Sequence, residues 1–117
     1  MEFISKGSLT LISKEEALRI YSIFIRVGTT RRKSKSAYFG LKNNGKMVCF
    51  VRVFKGDDDN LYMEHERREK GKIITTPASR IEKDTFDEQV LFAASAVNDY
   101  LQFMVEQFPD LRAQIVV

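Results

Sequence analysis

The stretch Ala37-Tyr38-Phe39-Gly40-Leu41-Lys42-Asn43-Asn44-Gly45-Lys46-Met47-Val48-Cys49-Phe50-Val51-Arg52-Val53-Phe54 decides the fold. Two runs rich in β-branched and aromatic residues flank Asn44-Gly45, and both turn residues tolerate the positive φ that a tight hairpin demands. The spacing predicts a two-residue turn that pairs Asn43 with Lys46, Leu41 with Val48 and Phe39 with Phe50. Side chains alternate along a strand, so Phe39, Leu41, Val48, Phe50, Arg52 and Phe54 are expected on one face. Tyr38, Gly40, Lys42, Met47, Cys49, Val51 and Val53 then fall on the other. Gly40 among small aliphatic residues is read as room for a helix on that second face. The face with Phe39, Phe50, Arg52 and Phe54 is left as an uncovered platform.

Downstream, Gly56-Asp57-Asp58-Asp59-Asn60 reads as a solvated turn and Leu61–Glu66 as a third strand. Arg67–Lys72 reads as a charged turn, and Ile73–Thr75 as a fourth strand ended by Pro77. Thr85-x-x-Glu88 has capping-box spacing and opens a run without Gly or Pro from Phe86 to Phe108, predicting one long helix stopped at Pro109. Phe86, Val90, Ala93, Val97, Tyr100 or Leu101, Met104 and Phe108 give this helix an apolar stripe. Leu91, Phe92, Phe103 and Val105 widen the stripe beyond what one sheet face covers. A homodimer or higher homo-oligomer through residues 86–108 is therefore expected, the alternative being cover from the N-terminal segment or the tail at 111–117.

Upstream, Ser8–Ile12 reads as a short strand, and Ser13-x-x-Glu16 as a capping box opening a helical turn over Ala17–Tyr21. The segment Ile20–Val27 has strand-like composition, so the helical turn is expected to run into a strand. Gly28–Ser36 reads as a polar, basic loop. The expected class is α+β: a curved antiparallel sheet of about four strands, with an N-terminal extension, packed on one long C-terminal helix. The whole chain reads as a single domain, with an extension at 1–36, a core at 37–108 and a tail at 109–117.

The chain has 117 residues and 44% hydrophobic content, enough for one core and too little for two. Its single cysteine, Cys49, excludes an intrachain disulfide, and no apolar run has the length of a membrane span. A cytoplasmic location is expected, that of the host if the chain is viral. The net charge of +3 conceals a segregation. Residues 17–56 hold Arg19, Arg26, Arg31, Arg32, Lys33, Lys35, Lys42, Lys46, Arg52 and Lys55, and contain no acid. Such a block is what a polyanion partner requires, unless folding pairs it with the acidic remainder.

Catalytic chemistry is hard to assemble. His65, the only histidine, lies between Glu64 and Glu66 and reads as structural. Asp57, Asp58 and Asp59 lack the alternating ligands of a calcium loop, and neither a phosphate-binding glycine loop nor a nucleophile elbow is present. No enzyme activity, metal, cofactor or small-molecule substrate is expected. What remains is cations interleaved with aromatic rings, the combination that grips single strands through phosphates and stacked bases. The candidate nucleic-acid-binding residues are Arg26, Arg31, Arg32, Lys33, Lys35, Tyr38, Phe39, Lys42, Lys46, Phe50, Arg52, Phe54, Tyr62, Arg67, Arg68, Lys70 and Lys72. No short basic helix for reading a duplex groove is visible.

A hairpin with Gly45-Lys46 at its turn, a second charged turn running from Lys70 to Ile74, and a long helix after a capped loop together resemble the positive-cofactor-four and Whirly type of single-stranded-DNA-binding fold. Several small bacteriophage single-strand-binding proteins are similar. The resemblance covers roughly Ala37 to Phe108. It implies a curved four-stranded antiparallel sheet followed by a helix, dimers packed helix to helix, and sheets that bind melted DNA. The expectation is a non-catalytic protein that coats single-stranded DNA, or RNA, with little sequence preference, in phage replication or recombination. The alternatives are a transcription cofactor or regulator that binds RNA or duplex, and a small protein-binding inhibitor or adaptor.

Overall fold

The computed structural model describes residues 13–30, 36–44, 46–70, 72–108 and 115–116, with the side chains of Met47, Arg68, Glu69, Ile115 and Val116 outside the description. The expected strand at Ser8–Ile12 lies outside the described residues. The class is α+β, and the elements run α1 (Lys14–Thr30), β1 (Ser36–Asn43), β2 (Lys46–Lys55), β3 (Leu61–Glu69), β4 (Lys72–Arg80), α2 (Phe86–Gln107) and β5 (Ile115–Val116). The strands form one sheet in the order β4-β3-β2-β1-β5, antiparallel throughout. Both helices pack on the same face of it.

The hairpin forms where Asn44-Gly45 predicts it, with Asn44 at φ 51° and Asn43 opposite Lys46. Its register departs from expectation beyond the turn. The pairing shifts between Leu41 and Lys42, so Leu41 faces Cys49 and Phe39 faces Val51. An inserted residue of this kind turns every following side chain to the opposite face. Ala37, Phe39, Leu41, Cys49, Val51, Val53, Leu61 and Met63 consequently form the buried side of the sheet. Gly40 lies on the other side, away from both described helices. A Cβ there would strike the Cys49 carbonyl and the Phe50 backbone, so the missing side chain serves the bulge itself.

Residues 20–27, expected to run into a strand, are helical, and α1 is 17 residues long. Ser13 opens it as the capping box predicts, its hydroxyl accepting the Glu16 N–H at 3.2 Å. Ala17, Tyr21, Ile25 and Gly28 recur at helical spacing and are all buried, and Tyr21 meets Phe39 edge-on at 5.7 Å. Burial of that stripe against the sheet outweighs the strand propensity of the isoleucines. The segment expected as an extension thus supplies part of the core. Gly28 lets α1 approach β1 closely, since a Cβ there would lie 2.9 Å from Ala37 Cβ.

Pro77 does not end the fourth strand, which continues to Arg80. β4 is the sheet edge, where a missing N–H costs no ladder bond, and the pairing with β3 is irregular between Met63 and His65. Arg67 and Arg68 belong to β3, so the turn is shorter than expected and lies between paired Glu69 and Lys72, with Lys70 at φ 50°. α2 forms as expected. The Thr85 hydroxyl accepts the Glu88 N–H and donates to the Glu88 carboxylate, both at 3.1 Å, and Phe108 caps the other end. Val90, Ala93, Ala94, Val97, Leu101 and Met104 bury the inward stripe of α2.

Candidate nucleic-acid interface

Because both helices occupy one side of the sheet, the outer side is free of helical cover along β1 to β4 among the described residues. Cross-strand pairing sets three rows on it. Ser36, Phe54, Tyr62 and Arg80 form the first, Tyr38, Arg52 and Glu64 the second, and Gly40, Phe50, Glu66 and Thr75 the third. Tyr38, Phe50, Phe54 and Tyr62 are each half-buried. Phe54 and Tyr62 stack at 5.4 Å between centroids, and Tyr38 meets Phe50 edge-on at 5.7 Å.

Arg52 sits at the centre of this face. Its guanidinium lies 4.3 Å from the Phe54 ring centroid, donates to Glu64 at 2.8 Å and donates to the Ser36 hydroxyl at 3.1 Å. Tyr62 donates its hydroxyl to Asp58 at 2.8 Å, which holds the Tyr62 proton above the usual phenol range and, together with Asn60, lowers Asp58. The turn between β2 and β3 is thereby tied to the aromatic row, consistent with the solvated hairpin tip read from three consecutive aspartates. Gly56 is needed there, because a Cβ would meet the Tyr62 ring.

The meander brings the two basic turns together. β1 and β3 run in one direction and β2 and β4 in the other, so the turns after β1 and β3 lie at the same end of the sheet. Lys42 and Lys46 flank the first, and Lys70 and Lys72 the second, with the Arg67–Arg68 segment beside it. Lys46, Lys70 and Lys72 are exposed.

Several expected site residues fall elsewhere. Phe39 is fully buried in the core, because the bulge turns it inward. Arg26 stands on α1, on the far side of the sheet, and donates to Asp87 at 2.6 Å. Arg67 pairs with Cys49 and Ile74 on the helix-facing side. Arg31, Arg32, Lys33 and Lys35 lie outside the described residues, as does the side chain of Arg68. Folding also pairs part of the acid-free block with carboxylates. Arg19 lies 4.0 Å from Glu16 and Lys55 3.6 Å from Asp59, in addition to Arg26 with Asp87 and Arg52 with Glu64. The outer face also carries Arg80, Thr75, Glu64 and Glu66, which sequence reasoning does not single out. Strand alternation carried through Pro77 does not place both β4 residues there, because Thr75 and Arg80 are an odd number of residues apart and share a face only through the irregular pairing between Met63 and His65.

Beneath the sheet, Cys49 is buried, and burial pushes its thiol up to about 11, as expected of a core residue. His65 lies with its ring 4.5 Å from that of Tyr100, and burial lowers its pKa. Among the described residues no group of three His, Cys, Asp or Glu side chains is placed to hold a metal ion, and no helix is long and apolar enough to cross a membrane. Comparison with known protein families, characterised proteins and solved structures finds no match to this chain.

Proposed function

We propose that the outer face of the sheet binds single-stranded nucleic acid, DNA foremost, without catalysis and with little sequence preference. The observation that carries this reading is a sheet face that no described helix covers, bearing four half-buried aromatic rings, with two lysine-flanked turns at one end of it. Rings of this kind offer π-faces to unstacked bases, each worth about 1 to 3 kcal/mol, while ammonium groups at the strand ends neutralise phosphates. The Arg52 guanidinium, already lying over Phe54, extends the stacking surface. Duplex is the poorer ligand, since neither helix presents a basic face to a groove. Replication or recombination is the process in which such a coating activity serves, in the cytoplasm of a host cell.

A second reading, a protein-binding adaptor, is favoured by Glu64 and Glu66 on the same face. They offset Arg52 and leave the centre of the sheet mixed in charge. A fluorescent oligonucleotide titrated as single strand and as duplex, at two salt concentrations, divides these readings. Tighter binding of the single strand, with log affinity falling as log salt rises, is the expected result. No binding of either form at low salt overturns the nucleic-acid reading and leaves the adaptor.

A further inference from the structure

The stripe that α2 turns to the sheet accounts for only part of its apolar surface. Leu91, Phe92 and Phe103 face away from the sheet and are 54%, 47% and 44% exposed. Carboxylates are interleaved with them. Glu88, Phe92, Asp99, Phe103 and Glu106 are all exposed, and their helical spacing keeps them on one outward line. At about 1.5 Å of rise per residue the two phenylalanine rings stand roughly 16 Å apart along the axis. At the N-terminal end of the line, Phe92 walls an open groove of about 470 Å³ with Leu18 of α1, Leu91 and Ser95. Lys14, Lys83 and Glu88 complete its lining, the Lys83 ammonium 5.6 Å from the Phe92 ring centroid.

Charge decides what fits this line. α2 carries Asp87, Glu88, Asp99 and Glu106 and neither Lys nor Arg along its 22 residues. Asp87 is taken by Arg26, and Glu88 accepts the Thr85 hydroxyl. Asp99 and Glu106 have no ion-pair or hydrogen-bond partner among the described residues. No basic side chain occupies the last turn, so the negative end of the helix dipole adds to the charge of Glu106. Such a surface repels a phosphate backbone or an anionic lipid surface, and a second α2 laid along it would bring the same carboxylates. It attracts a helix whose apolar side chains are interleaved with Lys or Arg. We propose that the outward line of α2 docks a basic amphipathic helix of another protein. One apolar side chain enters the groove beside Phe92, another covers Phe103, and cations meet Asp99 and Glu106. Lys14 and Lys83 set the direction, since they repel a cation at the groove and leave the basic residues to the Asp99–Glu106 end. The surface faces away from the sheet, so the proposal stands whether or not the outer face of the sheet binds nucleic acid.

Fluorescence anisotropy of a labelled synthetic peptide titrated with the full chain tests it. The probe is a peptide of about 18 residues, all Leu and Lys, with the leucines at helical spacing. Its controls are a peptide of the same composition with the spacing scrambled and one with Glu in place of Lys. The probe is expected to bind roughly tenfold or more tighter than either control and to lose affinity as salt rises. Asp99→Lys combined with Glu106→Lys weakens binding of the probe roughly tenfold or more, and Phe103→Ala weakens it several-fold, each with unchanged circular dichroism. Equal binding of the scrambled peptide overturns the proposal, as does a folded double variant that binds the probe as tightly as the parent. A dimer in sedimentation equilibrium that Phe103→Ala dissociates also overturns it, by giving the surface to a second copy.

Discussion

Gln89 is the polar residue on which the junction between sheet and helix turns. It is fully buried, its Oε1 accepts the Leu61 N–H at 3.0 Å, and its Nε2 donates to Asn60 at 2.8 Å and to the Lys83 carbonyl at 3.1 Å. A buried donor left without a partner costs about 1 to 3 kcal/mol, and Gln89→Leu orphans the Leu61 N–H while also freeing the Asn60 side chain. The variant is expected to lose about 2 to 3 kcal/mol in urea unfolding, with its far-ultraviolet circular dichroism retained. His65 makes stability depend on pH. Burial against Tyr100 lowers its pKa in the folded chain below the ordinary value of about 6.5, so the unfolded chain takes up the proton first as pH falls. The contribution of His65 is thus complete above the unfolded pKa and is lost as pH drops through it toward the folded one. His65→Gln is expected to flatten the change in urea midpoint across that window relative to the parent, and an unchanged profile would remove His65 as its source.

At the scale of elements, Gly40 sets the hairpin register. A methyl group there meets backbone on β2 rather than a movable side chain, so relief requires moving the strand. Gly40→Ala is expected to destabilise by about 2 kcal/mol or more, measured by the shift in denaturation midpoint. The same glycine shows where sequence reading stops. Asn44-Gly45 specifies its turn through local backbone chemistry, and the Asn43–Lys46 pair follows directly. The bulge beyond it is set by the demand that Phe39 and Leu41 reach the core together with Cys49 and Val51, a tertiary demand that alternation within one strand does not express. α2 was legible because cap, stripe and length agree within the segment. α1 was not, because its isoleucines and valine favour extended backbone locally and only the sheet beneath Tyr21 and Ile25 decides otherwise. β4 looked short because Pro77 is a breaker inside a sheet and harmless at its edge. Tyr38, Phe50, Arg52, Phe54 and Tyr62 of the candidate site were legible as types, whereas Phe39 and Arg26 were misplaced by the same tertiary demands.

At the scale of the molecule, the fold divides one chain into two surfaces of different character. The helix-facing side buries apolar stripes, and the outer side spreads aromatic rings with two lysine-flanked turns at one end. The nucleic-acid reading separates these contributions quantitatively. Lys46 and Lys70 are exposed and sit on different hairpins at one end of the sheet, so on the proposed reading each neutralises its own phosphate. For a single strand each neutralised phosphate contributes about 0.7 to the slope of log affinity against log salt. The pair Lys46→Ala and Lys70→Ala is expected to reduce that slope by roughly 1.4 and to weaken binding alike for all sequences. Phe54 contributes through its ring, stacked on Tyr62 and lying under Arg52, and carries no charge. Phe54→Ala is expected to cost about 1 to 3 kcal/mol of binding while leaving the slope unchanged. Fluorescence titrations of the three proteins on one oligonucleotide across a salt series read both quantities at once. A double lysine variant with the parent's slope would place the phosphates away from the hairpin turns, and a Phe54→Ala protein with the parent's affinity would place the bases off the outer face of the sheet.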